Sequence, residues 1–493
     1  MSFASPSLTE LGVVLAAVAE VVFQLTILAL IVAKGRTTPA VRLAWLIVVA
    51  VLPILGGLLY LRLGRMPARA KAADQQRLLA AVRERARADS LGSRVVPPAE
   101  SAGLRKGVHL LEALGGLPAC AGNRLRLFGR ARVTDDSSQA IDRLVDDIAG
   151  ARSSCNLLFY IYLDDATGRR VAEAMLTAAV RGVVCRLLVD AVGSGEFLDS
   201  RLCRRLSDGG VEVARALPVT AVRALFGRFD YRNHRKLAVI DGLIGWTGSR
   251  NIANPSFAPK ARYAPWVDVM VRLEGPAVHD LQRVFAEDWL LESGGSIEDL
   301  LTPRPQPLED GVVAQILPSG PNAAGQRAMT EATLLGFLEA DRELILTTPY
   351  FVPDDATLTA ICATARSGVR TMLVVPQRND SRTVSAASRS YYDSLLEAGV
   401  EIYEYPHGLL HAKTATIDGA LSVVATANLD RRSYELNYEI SLMVASRRFT
   451  AQLRELQIGY AESSVIVDAM RWTKRPLRRR LVENAAGLLS PLL

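Results

Sequence analysis

One short pattern occurs twice in this chain. His234-Arg235-Lys236 is followed after four residues by Asp241, and His411-Ala412-Lys413 is followed after four residues by Asp418. After six further residues the first copy continues Gly248-Ser249-Arg250-Asn251 and the second Ala425-Thr426-Ala427-Asn428. The chain has five histidines, and only seven of its 58 basic residues are lysines. Chance would then place His-x-Lys on the order of 0.1 times in such a chain, so two copies with matching tails are not accidental. A sequence duplicated in this way folds as two related modules.

The spacing has a chemical meaning. Alternate residues of a strand face the same way, so each His-x-Lys puts an imidazole and an ammonium side by side. Leu237 to Ile240 and Thr414 to Ile417 read as strands that end at the turns Asp241-Gly242 and Asp418-Gly419. Each copy therefore offers an imidazole, an ammonium and, from the next strand, a hydroxyl and an amide. A phosphodiester needs such a set: a nucleophile or acid with a pKa near neutrality, and donors for oxygens whose charge shifts in the transition state. Displacement at phosphorus in two steps uses two imidazoles, one attacking while the other protonates the departing alkoxide. Each copy is half a site, and a pseudo-two-fold pairing of the modules would bring the halves together. No Asp/Glu/His cluster with metal spacing accompanies them, so neither metal nor cofactor is expected.

The repeat extends beyond the motif. An apolar strand, Asn156 to Leu163, leads to Asp164-Asp165-Ala166-Thr167, a helix, and the strand Arg186 to Asp190. In the second half Leu344 to Val352 leads to Asp354-Asp355-Ala356-Thr357, a helix, and the strand Thr371 to Val375. Strand and helix alternate throughout, which makes the fold class α/β: two duplicated modules, each a mixed sheet flanked by helices. The boundaries read as a first module over 124–292, a Gly/Pro-rich acidic linker over 293–311, and a second module over 312–493 that ends in a basic segment.

The N-terminus is of another kind. Leu11 to Ala33 and Val41 to Leu63 are nearly continuous apolar runs of about 23 residues, long enough to cross a hydrocarbon core. No Lys or Arg precedes Lys34, so the first run lacks the basic start of a signal peptide. The expectation is a transmembrane hairpin over 1–67, with Pro53 and Gly56-Gly57 kinking the second helix and Glu20 and Gln24 turned toward a neighbouring helix. A juxtamembrane helix is expected over Ala68 to Ala88, within a connecting segment, 68–123. Arg62, Arg65, Arg69, Lys71 and Arg77 favour the cytoplasmic side for the catalytic bulk, against Lys34, Arg36 and Arg42 in the hairpin loop. A net charge of +7 suits nucleic acid or an anionic membrane equally, and the two apolar runs tip the balance to lipid. The five cysteines have no Cys-x-x-Cys spacing and read as reduced core residues. The C-terminal stretch Met470 to Leu493 mixes Lys474, Arg475, Arg478, Arg479 and Arg480 with Trp472, Leu477 and Leu481, which fits either a helix at an anionic interface or one packed on the second module.

Paired His-x-Lys-x4-Asp motifs with the following Gly-Ser-x-Asn make the chain resemble the phospholipase D superfamily. More narrowly it resembles the bacterial cardiolipin synthases within it. The likeness extends to the paired N-terminal spans, Arg232-Asn233-His234-Arg235-Lys236, Thr348-Pro349-Tyr350-Phe351-Val352-Pro353, Asn428-Leu429-Asp430-Arg431-Arg432-Ser433 and the C-terminal Ser490-Pro491-Leu492-Leu493. The resemblance implies His234 as a nucleophile forming a phosphohistidine and His411 as general acid and then base. Lys236, Lys413, Asn251 and Asn428 would hold phosphate oxygens, with Ser249 and Thr426 beside them. Asp268 and Glu439 match acids that orient a histidine. Asp241 and Asp418 complete the catalytic motif but read as structural. Ala425 departs from the usual glycine, and its methyl would restrict the backbone or crowd the phosphate.

The implied reaction moves a phosphatidyl group from one phosphatidylglycerol to the hydroxyl of another and releases glycerol, in the bacterial inner membrane. Phosphatidylglycerol is then donor and acceptor, and anionic membrane lipids are the surroundings. A phospholipase D-type hydrolase uses the same site with water as acceptor, and a transphosphatidylase with another alcohol. A nuclease fits the motif and the charge but not the apolar N-terminus, so no nucleic-acid partner is expected. A non-catalytic scaffold conflicts with two intact His-Lys pairs. Oligomeric state leaves no mark on the residues.

Overall fold

The computed structural model describes residues 8–33, 39–64, 80, 109–110, 112–114, 117–130, 138–219, 230–295, 297, 300, 304–321, 328–488 and 490. It divides into a small unit, 1–70 with 219–230, and a large one, 71–218 with 231–493.

In the small unit, α1 (Leu8–Ala33) contains a 22-residue stretch, Gly12–Ala33, of mean hydropathy 2.4, long and apolar enough to cross a membrane. The second apolar run, expected as a helix kinked at Pro53, is interrupted at that point. It is split into α2 (Pro39–Val51) and α3 (Pro53–Leu59), followed by a π-helical turn at Tyr60–Gly64. Pro53 is the cause: it forces Leu52 out of helical geometry, to φ −125° and ψ 76°. Gly56 sits so close to the carbonyl of Val48 that a Cβ would lie 2.6 Å from it. Gln24 donates to the carbonyl of Val49 at 3.1 Å, satisfying its amide between the helices, whereas Glu20 stays on the exposed surface. The expected juxtamembrane helix lies outside the described residues, apart from Ala80.

The large unit is built on one mixed sheet. The first module contributes β1 (Cys120–Gly129), α4 (Gln139–Ala149), β2 (Ser154–Phe159), α5 (Ala166–Val180), β3 (Val184–Asp190), α6 (Arg201–Asp208), β4 (Glu212–Ala216), β5 (Lys236–Ile240), β6 (Ile244–Gly248), β7 (Val269–Glu274) and α7 (Ala277–Ser293). The second contributes β8 (Val312–Ser319), α8 (Ala328–Leu338), β9 (Glu343–Thr347), α9 (Asp355–Arg366), β10 (Arg370–Pro376), α10 (Arg382–Ser390), β11 (Glu401–Tyr405), β12 (Thr414–Ile417), β13 (Leu421–Ala425), β14 (Asn437–Ala445), α11 (Arg447–Glu462) and α12 (Leu477–Gly487). The strand order is β11-β10-β9-β12-β13-β14-β8-β1-β7-β6-β5-β2-β3-β4, with Val465–Ile466 added beside β11. Each module thus repeats one order outward from the antiparallel β1–β8 pair at the centre. The duplication in the sequence is a pseudo-two-fold axis in the sheet.

Side-chain alternation divides the core between the two faces. Along β5, Leu237 and Val239 join a cluster that also contains Phe285 and Trp289 of α7 and Leu453 and Tyr460 of α11, so this core is common to both modules. Ala238 and Ile240 point the other way, into the first module's own core with Leu144 of α4 and Met175 of α5. Ala415 and Ile417 of β12 do the same toward Phe337 of α8 and Ile361 of α9. Asp165 caps α5 by accepting from Gly168 N, and Asp354 caps α9 by accepting from Thr357 N. The cap is thus the second aspartate of Asp164-Asp165 but the first of Asp354-Asp355, so the two halves align one residue away from the identical letters.

The C-terminal segment is packed on the second module. Trp472 Nε1 donates to Asp393 at 2.9 Å, and Arg475 is held between Asp393 and Glu483, both at 2.9 Å. α12 lies against α10, with Gly487 next to Ser390. The cations singled out in the sequence therefore divide: Arg475 is buried, while Lys474, Arg478, Arg479 and Arg480 are exposed beside Leu477 and Leu481.

Candidate functional site

Each histidine is delivered by a short segment that crosses to the other module. Arg232–Asn233 pairs in parallel with Asn437–Tyr438 at the start of β14, and Leu409–Leu410 pairs in parallel with Trp266–Val267 just before β7. The registers put the next residues opposite one another: His234 beside Glu439, and His411 beside Asp268. His234 N donates to Tyr438 O at 2.9 Å, and His411 N donates to Val267 O at 2.8 Å. The side chains follow. His234 Nδ1 lies 2.9 Å from Glu439 Oε1, and His411 Nδ1 lies 2.7 Å from Asp268 Oδ1.

Each acid thus orients the histidine of the other half. With Nδ1–H donated to a carboxylate, each imidazole has its Nε2 lone pair available. The lysines lie alongside, fully buried, and bend back to their own histidines: Lys236 Nζ donates to His234 O at 2.6 Å and Lys413 Nζ to His411 O at 2.7 Å. Aromatic rings that the motif does not announce flank the imidazoles. Tyr160 stands edge-on to His234 at 4.8 Å, and Trp266 lies 4.5 Å from His411. Trp266 is two residues before Asp268, and that spacing was the available signal, since alternate residues share a face.

Ser249 and Thr426, expected beside the phosphate, are engaged elsewhere. Ser249 Oγ donates to Asp268 Oδ1 at 2.6 Å, and Thr426 Oγ1 donates to Glu439 Oε2 at 2.5 Å. Their oxygens also accept from Val269 N and Ile440 N, both at 2.9 Å. They hold the acids that hold the histidines. Asn251 Oδ1 accepts from Ile161 N at 3.2 Å. Asn428 Nδ2 donates to Asp430 at 3.0 Å, which leaves its second N–H for a ligand.

The motif aspartates are away from the chemistry. Asp241 accepts from the backbone N–H groups of Arg152, Ser153 and Ser154, and Asp418 from those of Asp341, Arg342 and Glu343. Each fastens the start of a neighbouring strand, β2 or β9, and each has φ +53°, a conformation aspartate tolerates better than most residues. Their place in the motif is explained by the sheet and not by the reaction. Gly248 and Ala425 also separate here. Gly248 has φ +150° and a Cβ there would lie 2.2 Å from Val269 O, so glycine is needed. Ala425 has no positive φ and faces Ser441, where Gly248 faces Met270.

Burial sets the protonation states. It pushes His234 and His411 down to about 4, assisted by the neighbouring ammonium groups and opposed by Glu439 and Asp268. Burial likewise lowers Lys413 to about 7 and Lys236 well below its ordinary value. Burial alone would raise both acids, but His411 with Lys413 more than reverses this for Asp268, as His234 with Lys236 does for Glu439. The resting site therefore holds two ionised carboxylates, two neutral imidazoles, and two lysines whose charged form burial disfavours and the carboxylates support. An anion bound here would raise the lysines and the histidines together.

The family described as "Cardiolipin synthase, PLD-like domain" matches residues 144–289 and 337–457, more than half the chain. The chain belongs to this cardiolipin synthase family of the phospholipase D superfamily. Cardiolipin synthase A of Edwardsiella ictaluri (strain 93-146) is 37% identical over 468 residues, covering 94% of this chain and 95% of that protein. Cardiolipin synthase A of Yersinia pseudotuberculosis serotype O:1b is 39% identical over 480 residues, with the same coverage. Residues 25–65 match a family described as "Phospholipase_D-nuclease N-terminal". The fold is shared with the crystal structure of phosphatidylserine synthase from Haemophilus influenzae, at TM-score 0.56 and 15% identity, over 78% of this chain and 98% of that one. In cardiolipin synthase terms, the swapped acid–histidine pairs mean that neither half of the chain holds a complete site.

Proposed function

We propose that this chain is a membrane-bound phosphatidyltransferase that makes cardiolipin and glycerol from two molecules of phosphatidylglycerol. The observation that carries the reading is the pairing of His234 with Glu439 and His411 with Asp268, which gives one site two imidazoles with free Nε2 atoms between two buried lysines. Cardiolipin synthase A relatives aligned over almost their whole length supply the substrate class.

The family resemblance assigns the steps to the two histidines, and the matching acid–histidine pairs support each of them. The phosphodiester enters between Lys236 and Lys413, and its charge promotes protonation of His411. His234 Nε2 attacks phosphorus, the bond to the glycerol head group breaks, and His411 Nε2–H protonates the departing alkoxide. The phosphatidyl group is then on His234, with Glu439 compensating the positive imidazole. A hydroxyl of a second phosphatidylglycerol gives its proton to His411, attacks phosphorus and displaces His234. Asn251 and Asn428, with the lysines, donate to the equatorial oxygens as charge builds there.

The N-terminal unit anchors the enzyme, and we place the catalytic modules on the cytoplasmic face because Arg62, Arg65, Arg69, Lys71 and Arg77 follow the second apolar run. The test is to incubate the full-length protein in mixed micelles with phosphatidylglycerol and resolve the products. Cardiolipin and glycerol in equal amounts are expected; phosphatidic acid with glycerol, or no product, would refute the transfer reaction.

A further inference from the structure

The two modules superimpose in strand order but not in how well they are filled. Registers identify matching positions. Trp246 pairs with Arg272 as Val423 pairs with Met443, and Phe128 pairs with Met270 as Leu317 pairs with Ser441. Asp147 and Gly336 lie at equal distances before matching strand positions, Cys155 paired with Ile240 and Leu344 paired with Ile417. In the first module these positions are full. Trp246 is completely buried, packs on Phe128 at 5.2 Å, and donates Nε1–H to Asp147, which also binds Arg272. In the second, Trp becomes Val423, Met becomes Ser441 and Asp becomes Gly336. Native cores are close-packed, so these reductions leave space unless something else occupies it.

The space is present. A pocket of about 620 Å³, including its open mouth, lies between α8 and the sheet and is lined by Met329, Phe337, Val423, Ala425, Leu429 and Lys413 among others. Room for water-sized groups within it is about 70 Å³, enough for a short length of hydrocarbon. The walls are mostly apolar; Thr333 is engaged with Tyr434 at 3.2 Å and Thr348 with Tyr350 O at 2.9 Å, while the buried hydroxyl of Thr347 has no partner among the described residues. Among the described residues the one charged lining group is Lys413, which belongs to the reaction site. Ala332, Gly336, Val423 and Met443 are partly exposed at its edge, and Leu110 and Leu114, ahead of the first module, pack beside it.

We propose that this pocket receives an acyl chain of the phosphatidyl donor. The proposal rests on the phosphatidyl-transfer reading and adds to it a place for the substrate's tail: phosphate at Lys413, hydrocarbon between α8 and the sheet. The departure at Ala425 then has a use, because its methyl group is part of an apolar wall.

The test uses the full-length enzyme in mixed micelles with phosphatidylglycerol bearing a diazirine near the end of one acyl chain. After photolysis, label is expected on peptides containing Met329, Phe337 or Met443. Val423→Trp, which installs the first module's residue, should lower that labelling at least tenfold. Gly336→Leu serves as a second filling variant, since a Cβ there meets nothing closer than Ile417 Cδ1 at 3.4 Å. Both variants are checked for an unchanged melting temperature, and labelling is judged on whichever remains folded. Label confined to other segments, undiminished label in the folded variant, or equal labelling by a diazirine fatty acid would each overturn the assignment. Product analysis with unmodified lipid is read separately: absence of cardiolipin refutes the reaction, whereas cardiolipin without pocket labelling refutes only the pocket.

Discussion

His234 and Glu439 are 205 residues apart and belong to different modules, yet His234 Nδ1 lies 2.9 Å from the carboxylate. The pseudo-symmetric pair, His411 and Asp268, repeats the exchange at 2.7 Å. A crossing backbone segment puts each pair in register, so the site exists only when the modules share their sheet.

Glu439→Gln and Asp268→Asn should each reduce kcat by roughly 10²-fold or more without unfolding the protein, since the amide no longer enforces the tautomer with a free Nε2. Steady-state kinetics alongside thermal melts check this. A loss of stability with normal kcat would assign these acids to packing alone.

Asp418→Asn should act in the opposite way. The carboxylate accepts from three backbone N–H groups at the start of β9, so its loss should cost about 1–3 kcal/mol of stability while the folded fraction keeps its kcat. Denaturant unfolding measures the first effect and kinetics the second.

The motif, the duplication and the strand alternation were legible because each is a local pattern. His-x-Lys requires one face of a strand, and Asp-Gly requires a turn. Asp268 and Glu439 could be picked out only through the family resemblance, and nothing local in the sequence assigns each to the opposite half. Ser249 and Thr426 read as phosphate-side residues in the sequence because they recur at the same place after each His-x-Lys and the family resemblance puts them beside the phosphate; only the approach of the two acids shows where their hydrogens go. The second apolar run and its interruption at Pro53 could be recognised in the sequence, but the close approach of Gly56 to Val48 could not. The pocket beside Lys413 could not be seen at all, since it arises from a difference between two cores and not from any motif.

Lys236→Arg should reduce kcat by at least tenfold despite retained charge. Lys236 is fully buried with Nζ 2.6 Å from His234 O, and the larger planar guanidinium cannot occupy that place without displacing the imidazole. A variant of near-normal kcat would show that charge alone suffices.

The two histidines should contribute a loss of stability as pH falls from about 6.5 to 4. Both are lowered to about 4 in the fold from an ordinary 6.5, so in that window the unfolded chain binds more protons at these two residues. Their contribution is complete above pH 6.5 and is lost as pH falls through the folded value. Buried Asp280, raised to about 7, and Asp430, raised to about 6, act in the opposite direction across the same window, so the histidine contribution is read as a difference. Melting temperature should rise less with pH in His411→Asn than in the unaltered protein, and an equal slope would remove the histidines from the explanation.

The most direct test of the two-histidine site separates attack from protonation. A phosphatidyl ester of p-nitrophenol carries a leaving group that departs without a proton, so it does not need His411 in the first step. His411→Ala should release one equivalent of nitrophenolate in a burst and retain the phosphatidyl group on the peptide containing His234, whereas His234→Ala should release none. A burst in His234→Ala, or an adduct elsewhere than His234 in the His411→Ala protein, would contradict the account.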